Sequence, residues 1–336
     1  MQLQKNLQVR IEKYKTPTIY LDTCAMIELS KIQNGTCKDA HIQELGALYN
    51  QLKNLMKNRC IICPCGNQLQ EMGMTKGREN AKQFLFGFTN AELRYPEEIF
   101  TTQMQIGFQS FLNNETEIEL IVASAFQMGM YPDVPFTLHV SHQHSQEKAE
   151  ELKASKNHIK DLLNDAKNQQ RIAKNFEDQL QNELGAELQL FLDALSHPLE
   201  SEDAFNRYVD EIGYFHRITQ FPPTRNDGLH IKHLSSYSAF LVSVYHDSLP
   251  FIWIRSNLWA HLMQRSNRIV QGDNLDVKWA AAYLPFVDYA VTDHAFCELL
   301  HSSGLAKQYG TKVYSFRTLN ELLDELESIN SSNDAV

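Results

Sequence analysis

The sequence predicts an α/β fold: a parallel β-sheet flanked by helices, with a large all-helical insertion. Short apolar runs, each followed by a segment with helical periodicity, lie near both ends of the 336-residue chain. Between them, residues 142–195 are almost free of Gly and Pro and rich in Glu, Lys, Gln, Asn, Leu and Ala. Such a composition is typical of long amphipathic helices. One sheet built from both ends of the chain and interrupted by helices is the simplest arrangement.

Four apolar runs are predicted to form the strands of this sheet, and a helix is predicted after each. The strands are 18–22, 60–64, 288–292 and 312–316, and the helices are 24–32, 66–76, 294–303 and 318–329. This gives an N-terminal half of the α/β core at 1–95, a helical insertion at 96–250 and a C-terminal half of the core at 251–330.

Helices are predicted at 97–130, 142–195 and 232–247 within the insertion, with a break at Gly185, and at 251–270 directly after it. Leucines, isoleucine and alanines recur through the second of these at spacings of mostly three, four or seven: Leu152, Ile159, Leu163, Ala166, Ala173, Leu180, Leu184 and Leu188. So long an apolar seam needs a partner helix, either from the same chain or from a second copy. We therefore expect a homo-oligomer, most simply a dimer.

Composition limits the class of protein. The net charge of −10 argues against a general nucleic-acid coat, although it leaves room for a local basic patch. Six sparse cysteines are expected to be reduced thiols of a cytoplasmic protein. The polar N-terminus does not look like a signal peptide, and no apolar run has the length that a bilayer requires, so no membrane association is expected.

Acidic residues follow the predicted strands at the edge where ligand sites lie in open α/β sheets. Asp22 ends the first strand and Asp293 the third, Glu71 lies in the helix after the second, and Asp273 and Asp276 open a helix that leads into the third. Carboxylate oxygens at one edge are the ligands that Mg²⁺ and Mn²⁺ prefer. The sequence therefore predicts a divalent-metal site.

Each acid also has an ordinary structural interpretation. Asp22 and Asp293 could be helix N-caps, and Asp273 could be an N-cap with Asp276 as its capping-box partner. Glu71 could be a surface glutamate. The agreement of all five in position, rather than any one of them, favours the metal interpretation.

The segments IYLDT, CIICPCGNQLQE, DVKWAAAYL and YAVTD resemble the motifs of the PIN domain, a metal-dependent nuclease fold, and GDNLDVKWAAAYLPFVDYAVTD is similar to a bacterial PIN-like subgroup. The resemblance covers about 17–76 and 250–318. It implies that Asp22, Glu71, Asp276 and Asp293 are catalytic metal ligands. It also implies that Asp273 is an accessory ligand and that Thr23 and Thr292 support the ligands. The path of about two hundred residues between Glu71 and Asp276 is longer than in minimal PIN domains.

Basic residues at helical spacing could track a phosphate backbone beside this site. They are Lys153, Lys156, Lys160, Lys167, Arg171 and Lys174. A solvated face with ion pairs to nearby acids is the alternative. Arg265 and Arg268 precede the acidic helix and are candidates for contact with the scissile phosphate, or ordinary surface arginines.

The expected function is that of a Mg²⁺- or Mn²⁺-dependent endoribonuclease, with water activated by the metal as the nucleophile. The preference for RNA over DNA comes from the family resemblance alone. A structure-specific DNA nuclease, with the insertion as an arch over the site, and a non-catalytic PIN-like interaction module are the alternatives. A toxin or antiphage effector, controlled by an inhibitory or activating protein partner, would suit these features.

Overall fold

The computed structural model describes residues 7–73, 79–127, 160–161, 164–165, 167–168, 175–196, 200–220, 231–266, 268–270 and 272–333. Within these ranges the fold is mixed α/β and mostly helical, with small parallel sheets. The strands are β1 (Gln8–Ile11), β2 (Ile19–Leu21), β3 (Pro64–Cys65), β4 (Ala91–Glu92), β5 (Glu117–Leu120), β6 (Tyr289–Val291) and β7 (Lys312–Tyr314).

The helices occupy both ends of the chain and its middle region. They are α1 (Thr23–Gln33), α2 (Ile42–Lys57), α3 (Gln68–Gly73), α4 (Glu79–Phe88), α5 (Pro96–Asn113), α6 (Phe176–Leu184), α7 (Ala186–Ser196), α8 (Glu202–Thr219), α9 (Ile231–Leu241), α10 (Val244–Asp247), α11 (Pro250–Gln264), α12 (Asp273–Tyr283), α13 (His294–Ser302), α14 (Leu305–Gln308) and α15 (Leu319–Asn333). None of the helices in the described ranges combines the length and the apolar character needed to cross a membrane.

The predicted parallel pairing between the two ends of the chain is confirmed. Strands β2, β6 and β7 lie side by side in that order, and both pairs are parallel. A parallel bridge between Thr18 and Ile62 joins β2 to the segment before β3, and β3 pairs in parallel with β4. The carboxyl ends of these strands therefore point the same way.

The sheet is buried on both faces because alternate residues of β2 enter different cores. Ile19 and Leu21 belong to the cluster formed with α1, α2, α4 and α15. Tyr20 packs on the opposite side, with its ring centroid 5.0 Å from that of Trp279 and 5.1 Å from that of Tyr283, both in α12. Helix α12 is thus held against β2 by aromatic contacts.

The chain divides into two compact units. Unit 1 takes its described residues from Met1–Glu12, Glu97–Ser124 and Lys167–Ser266, and unit 2 from Lys13–Pro96, Ala125–Ala166 and Asn267–Val336. Unit 2 contains the β2–β6–β7 sheet. Unit 1 contains α5 to α11, the parallel β1–β5 pair and an aromatic core of Phe108, Phe191, Phe215, Tyr237 and Phe240.

Some predicted helices end early. The helix expected at 97–130 stops at Asn113, and Glu117–Leu120 is a strand with alternating exposed and buried residues that pairs with β1. The helix expected at 251–270 stops at Gln264. Beyond it, the amide side chain of Asn164 bonds both to the backbone nitrogen of Ile269 (2.9 Å) and to its backbone oxygen (3.0 Å), which replaces helical bonding there.

The predicted break at Gly185 is confirmed, since α6 ends at Leu184 and α7 begins at Ala186. Leu180 and Leu184 of the apolar seam are buried, and α6 packs against α11 of the same chain. Leu152, Ile159, Leu163, Ala166 and Ala173 lie outside the described residues.

Candidate metal centre

Asp22 follows β2 directly and is only 5% exposed. Its backbone nitrogen still bonds to the oxygen of Val291 (2.9 Å), so the residue continues the ladder with β6. Its side chain makes no capping bond to α1, although it occupies the N-cap position. Instead, Asp22 Oδ2 accepts a hydrogen bond from the Thr292 hydroxyl (2.7 Å) and one from the Cys24 thiol (3.6 Å). Asp22 therefore holds the N-cap position of α1, as the helix-cap interpretation expects, but its side chain is not used as the cap.

Asp293 lies two residues after the end of β6, and its side chain does cap a helix. Its Oδ1 accepts hydrogen bonds from the backbone nitrogens of Ala295 (2.8 Å) and Phe296 (3.1 Å) at the start of α13. Because β2 and β6 are neighbouring parallel strands, Asp22 and Asp293 leave the sheet at the same edge. Capping by one oxygen fixes the carboxylate while the other oxygen is left for a ligand.

Asp276 reaches the same edge from the first turn of α12. Asp273 is not the N-cap of this helix, because Gly272 holds that position and makes no side-chain cap bond. Asp273 Oδ2 instead accepts from the backbone nitrogen of Val270 (2.7 Å). This bond and the Asn164 clamp on Ile269 fix the chain immediately before Asp276.

Glu71 lies in α3, the short helix after β3. Its Oε1 accepts a hydrogen bond from Asn67 Nδ2 (2.8 Å). Buried Gln68 ties this helix to β2, since its Nε2 donates to the oxygen of Leu21 (2.6 Å) and its Oε1 accepts from the nitrogen of Gly66 (2.6 Å). Helix α3 is thereby anchored beside the residue that precedes Asp22.

Three of the five predicted acids come together. One carboxylate oxygen each of Asp22, Asp276 and Asp293 lies within 4.8 Å of the other two. Glu71 and Asp273 are outside this group of three, but the charge of each raises the pKa of Asp276. The acids therefore share one electrostatic environment.

Burial and mutual repulsion shift the acids toward their protonated forms. The pKa of Asp276 is raised to about 9, mainly by burial and then by the charges of Asp22 and Asp293. Burial also raises the pKa of Asp22, which the Thr292 hydrogen bond opposes and the charge of Asp293 reinforces. Without a cation, this cluster is costly to ionise.

Comparison of the chain with protein-family models, curated proteins and solved structures found no match. The PIN-like resemblance therefore depends on the motifs alone.

The donor set fits a hard divalent cation. All three converging groups are carboxylates, which Mg²⁺ and Mn²⁺ prefer over the nitrogen and sulfur ligands typical of zinc. A positive ion between them would favour their ionised forms and offset the repulsion that raises the pKa of Asp276. The same arrangement can hold a cation against a phosphate oxygen at the open, Asp293 side of the cluster, because Asp293 is exposed.

The Thr292 hydroxyl donates a hydrogen bond to Asp22, a contact of the kind that the resemblance implies for this residue. Thr23 is buried beside Asp22, and its hydroxyl makes no hydrogen bond to any described residue. Sequence reasoning overlooked Cys24, Asn67 and Gln68. The polar run GNQLQE directly after a buried strand is the signal that could have identified Asn67 and Gln68.

The predicted basic row is described only in part. Lys153, Lys156, Arg171 and Lys174 lie outside the described residues. Lys160 forms an ion pair with Asp161 (3.6 Å). Lys167 is 4% exposed and donates to the backbone oxygen of Leu262, so it does not lie on a solvated face and cannot reach a phosphate in this conformation. Arg265 occupies the C-cap of α11, and Arg268 is exposed; whether either binds nucleic acid stays a prediction.

Proposed function

We propose that this protein is a PIN-like, divalent-metal-dependent endoribonuclease. The observation that supports the proposal most strongly is the convergence of Asp22, Asp276 and Asp293 at one edge of a parallel sheet. These residues come from three segments that are distant in sequence. Two of them follow adjacent strands, as a metal site at the carboxyl edge requires.

In this proposal Asp22, Asp276 and Asp293 hold the cation, and Glu71 and Asp273 add negative charge around it. When bound, a divalent cation polarises a phosphodiester and lowers the pKa of an attacking water. The Thr292 hydroxyl orients Asp22, and the two capping bonds from α13 orient Asp293. Two of the three proposed ligands are thereby held in position before a substrate arrives, which reduces reorganisation during the reaction.

The test is cleavage of end-labelled single-stranded RNA by the full chain with Mn²⁺ or Mg²⁺, compared with DNA of the same sequence. We expect cleavage of RNA, loss of cleavage with EDTA, and loss with Asp22→Asn or Asp293→Asn. Asp324→Asn, which changes an exposed carboxylate of α15 outside the cluster, is the matched control and should cleave normally. Cleavage of DNA alone would favour a DNA nuclease. If neither RNA nor DNA is cleaved, the result would favour a non-catalytic module.

The cellular role that accompanies this proposal is that of a toxin or antiphage effector restrained or activated by a protein partner. Induced expression of the wild-type chain in a bacterial host should slow growth, whereas Asp22→Asn should not. Equal growth with both chains, at equal protein levels, would argue against an unrestrained toxin.

A further inference from the structure

A cavity of about 510 Å³ opens on unit 2 between the C-terminal end of α1, helix α2 and helix α4. Its volume lies within the range of small-molecule sites, which is roughly 300–1,000 Å³. Helix α1 starts at Thr23, beside Asp22, and reaches the cavity at its last residue, Gln33. At about 1.5 Å per residue, the cavity therefore lies roughly 15 Å along the helix from the acidic cluster.

The floor of the cavity is aromatic. The rings of Tyr49 and Phe88 stack with centroids 5.7 Å apart and an interplanar angle of 17°. Phe84 continues the stack, 4.8 Å from Phe88 at 22°. Phe84 and Phe88 are nearly buried, whereas Tyr49 is half-buried, so the stack presents part of its surface to the cavity. Planar rings of this kind are the surfaces on which nucleic-acid bases stack.

The charge of the cavity is positive within an acidic protein. Lys53 and Lys57 line it from the same face of α2 as Tyr49, at spacings of four residues, and Lys53 Nζ lies 5.6 Å from the Tyr49 ring centroid. No carboxylate is among the described lining residues, and neither lysine forms an ion pair with a described residue. With a net charge of −10 for the whole chain, this local excess favours an anionic ligand.

Amide side chains surround the opening. The side chains of Gln33, Asn80 and Gln83 line the cavity at exposed positions and make no hydrogen bond to any described residue. They contrast with Asn90, whose amide is occupied by the backbone of Cys63 (2.7 Å) and Ile61 (3.0 Å). Amides that can both donate and accept suit the edges of an unpaired base.

We infer that this cavity binds a nucleotide. Its base packs against the Tyr49–Phe88–Phe84 stack, rim amides contact the base edge, and Lys53 and Lys57 bind the phosphate. The nucleotide is either free or part of a single-stranded nucleic acid; the recognition chemistry is the same. Binding at the cavity does not depend on cleavage at the acidic cluster, so it stands or falls separately from the nuclease proposal.

Gly87 gives a direct test, because it lines the cavity and a Cβ built there meets no atom within 4 Å. Gly87→Trp should therefore fill the cavity without disturbing the packing of α4. Gly46 of α2 is equally open but does not line the cavity, so Gly46→Trp is the matched control. All variants carry Asp22→Asn and are measured in EDTA, so that no strand is cut.

Calorimetric titration with AMP, GMP, CMP and UMP, and fluorescence anisotropy with a labelled single-stranded oligoribonucleotide, measure the dissociation constants. We expect binding that Gly87→Trp weakens at least tenfold and that Gly46→Trp leaves unchanged. The double variant Lys53→Glu/Lys57→Glu should also weaken binding and reduce its salt dependence. Its two substitutions are at exposed positions, so it keeps the inference testable if Gly87→Trp fails to fold.

The two ligand sources are separated by the two titrations. Binding of a mononucleotide would show that a free nucleotide is a sufficient ligand for the cavity. Binding of the oligonucleotide alone would show that the ligand is a single-stranded nucleic acid. The inference is overturned if neither probe binds, or if a folded Gly87→Trp variant and the double lysine variant both bind as tightly as the parent.

Discussion

Asp22 and Asp293 each hold the N-cap position of the helix that follows one of two neighbouring strands, but their surroundings differ. Asp293 is exposed and satisfies two backbone nitrogens of α13, so it contributes to the fold without any ligand. Asp22 is buried, its side chain makes no capping bond to α1, and its carboxylate accepts hydrogen bonds from the Thr292 hydroxyl and the Cys24 thiol. A buried carboxylate with such weak support is costly to keep ionised. This contrast makes Asp22 the residue that a structural role explains least.

The raised pKa of Asp276 makes the stability of the metal-free protein depend on pH. Its carboxyl has a pKa of about 9 in the folded chain and about 3.8 when unfolded. Between these values the folded state binds a proton that the unfolded state has lost, so the free energy of unfolding falls as pH rises from about 4 to about 9. Denaturant titrations across this range should show that fall, and Asp276→Asn should reduce it.

Asp324→Asn, at an exposed position of α15, should follow the wild-type profile. Saturating Mn²⁺ or Mg²⁺ should raise the stability of the wild type at high pH, where the cation competes with the proton, by about 2.7 kcal/mol at a hundredfold excess over its dissociation constant. If the free energy of unfolding falls equally with pH in the wild type and in Asp276→Asn, then Asp276 ionises normally and the three carboxylates are not held close together.

For single residues, the sequence predicts well which side chains meet at the carboxyl ends of parallel strands. Parallel strands bring their carboxyl ends to one edge, so the positions of Asp22 and Asp293 in the chain are enough to pair them. The surroundings that distinguish them could not be predicted, because the Thr292–Asp22 bond joins residues 270 positions apart. Gln68 was overlooked for a similar reason. Its partner is the backbone oxygen of Leu21, and because every residue has a backbone oxygen, the sequence does not reveal this contact.

Gly66, two residues before α3, lies close to side chains of α12 and of the segment after β4. A Cβ built on Gly66 lies 2.9 Å from the hydroxyl oxygen of Tyr283 and 3.2 Å from Leu93 Cβ. Gly66→Ala should therefore destabilise the protein by about 1–3 kcal/mol through overpacking, and should weaken Mn²⁺ binding by displacing Glu71. Calorimetric metal titration and denaturant unfolding measure the two effects.

Gly46→Ala is the matched control, since its Cβ meets nothing within 4 Å in the middle of α2. It should stabilise the protein by up to about 1 kcal/mol, because Ala is the better helix former. If the two alanine variants are equally stable and bind Mn²⁺ equally well, the packing around Gly66 does not position α3.

Packing of α6 against α11 predicts a sharp difference between two leucines of the middle region. Leu184 is 5% exposed at the end of α6, whereas Leu190 on α7 is 54% exposed. Leu184→Ala should lower the free energy of unfolding by about 2–5 kcal/mol. Leu190→Ala should change it by less than about 0.5 kcal/mol. Comparable losses in chemical denaturation would show that Leu190 is covered in solution.

Strands that coincide with apolar runs could be predicted from the sequence. Strands that depend on pairing with a segment distant in sequence could not. Strand β2 is buried throughout, and β6 and β7 each end in two buried residues, so all three could be identified from their apolar runs. Strand β1 has only half-buried and exposed residues, so its sequence does not indicate a strand. The sequence of its partner β5 instead predicts a continuation of helix α5. The pairing of Gln8 with Glu117 supplies the hydrogen bonds that neither segment signals alone.

Self-association belongs to the whole molecule and stays a prediction. Burial of Leu180 and Leu184 against α11 of the same chain removes one reason for a second copy. Exposed apolar side chains nevertheless persist on α7 and α8 at Leu190, Phe205 and Val209. Light scattering at micromolar concentration should give twice the mass of the chain, and Phe205→Glu with Val209→Glu should return it to the monomer mass. A wild-type chain of monomer mass at that concentration would contradict the dimer.

Strand β2 is translated about 270 residues before its ladder partner β6 emerges from the ribosome. The β2–β6–β7 sheet therefore cannot close while most of the polypeptide is still being made, and its long loops are slow to form. Until then Asp22 has neither Asp276 nor Asp293 beside it. A chain that ends before β6 therefore lacks both Asp293 and the ladder that holds Asp22 beside it, and it cannot assemble the acidic cluster.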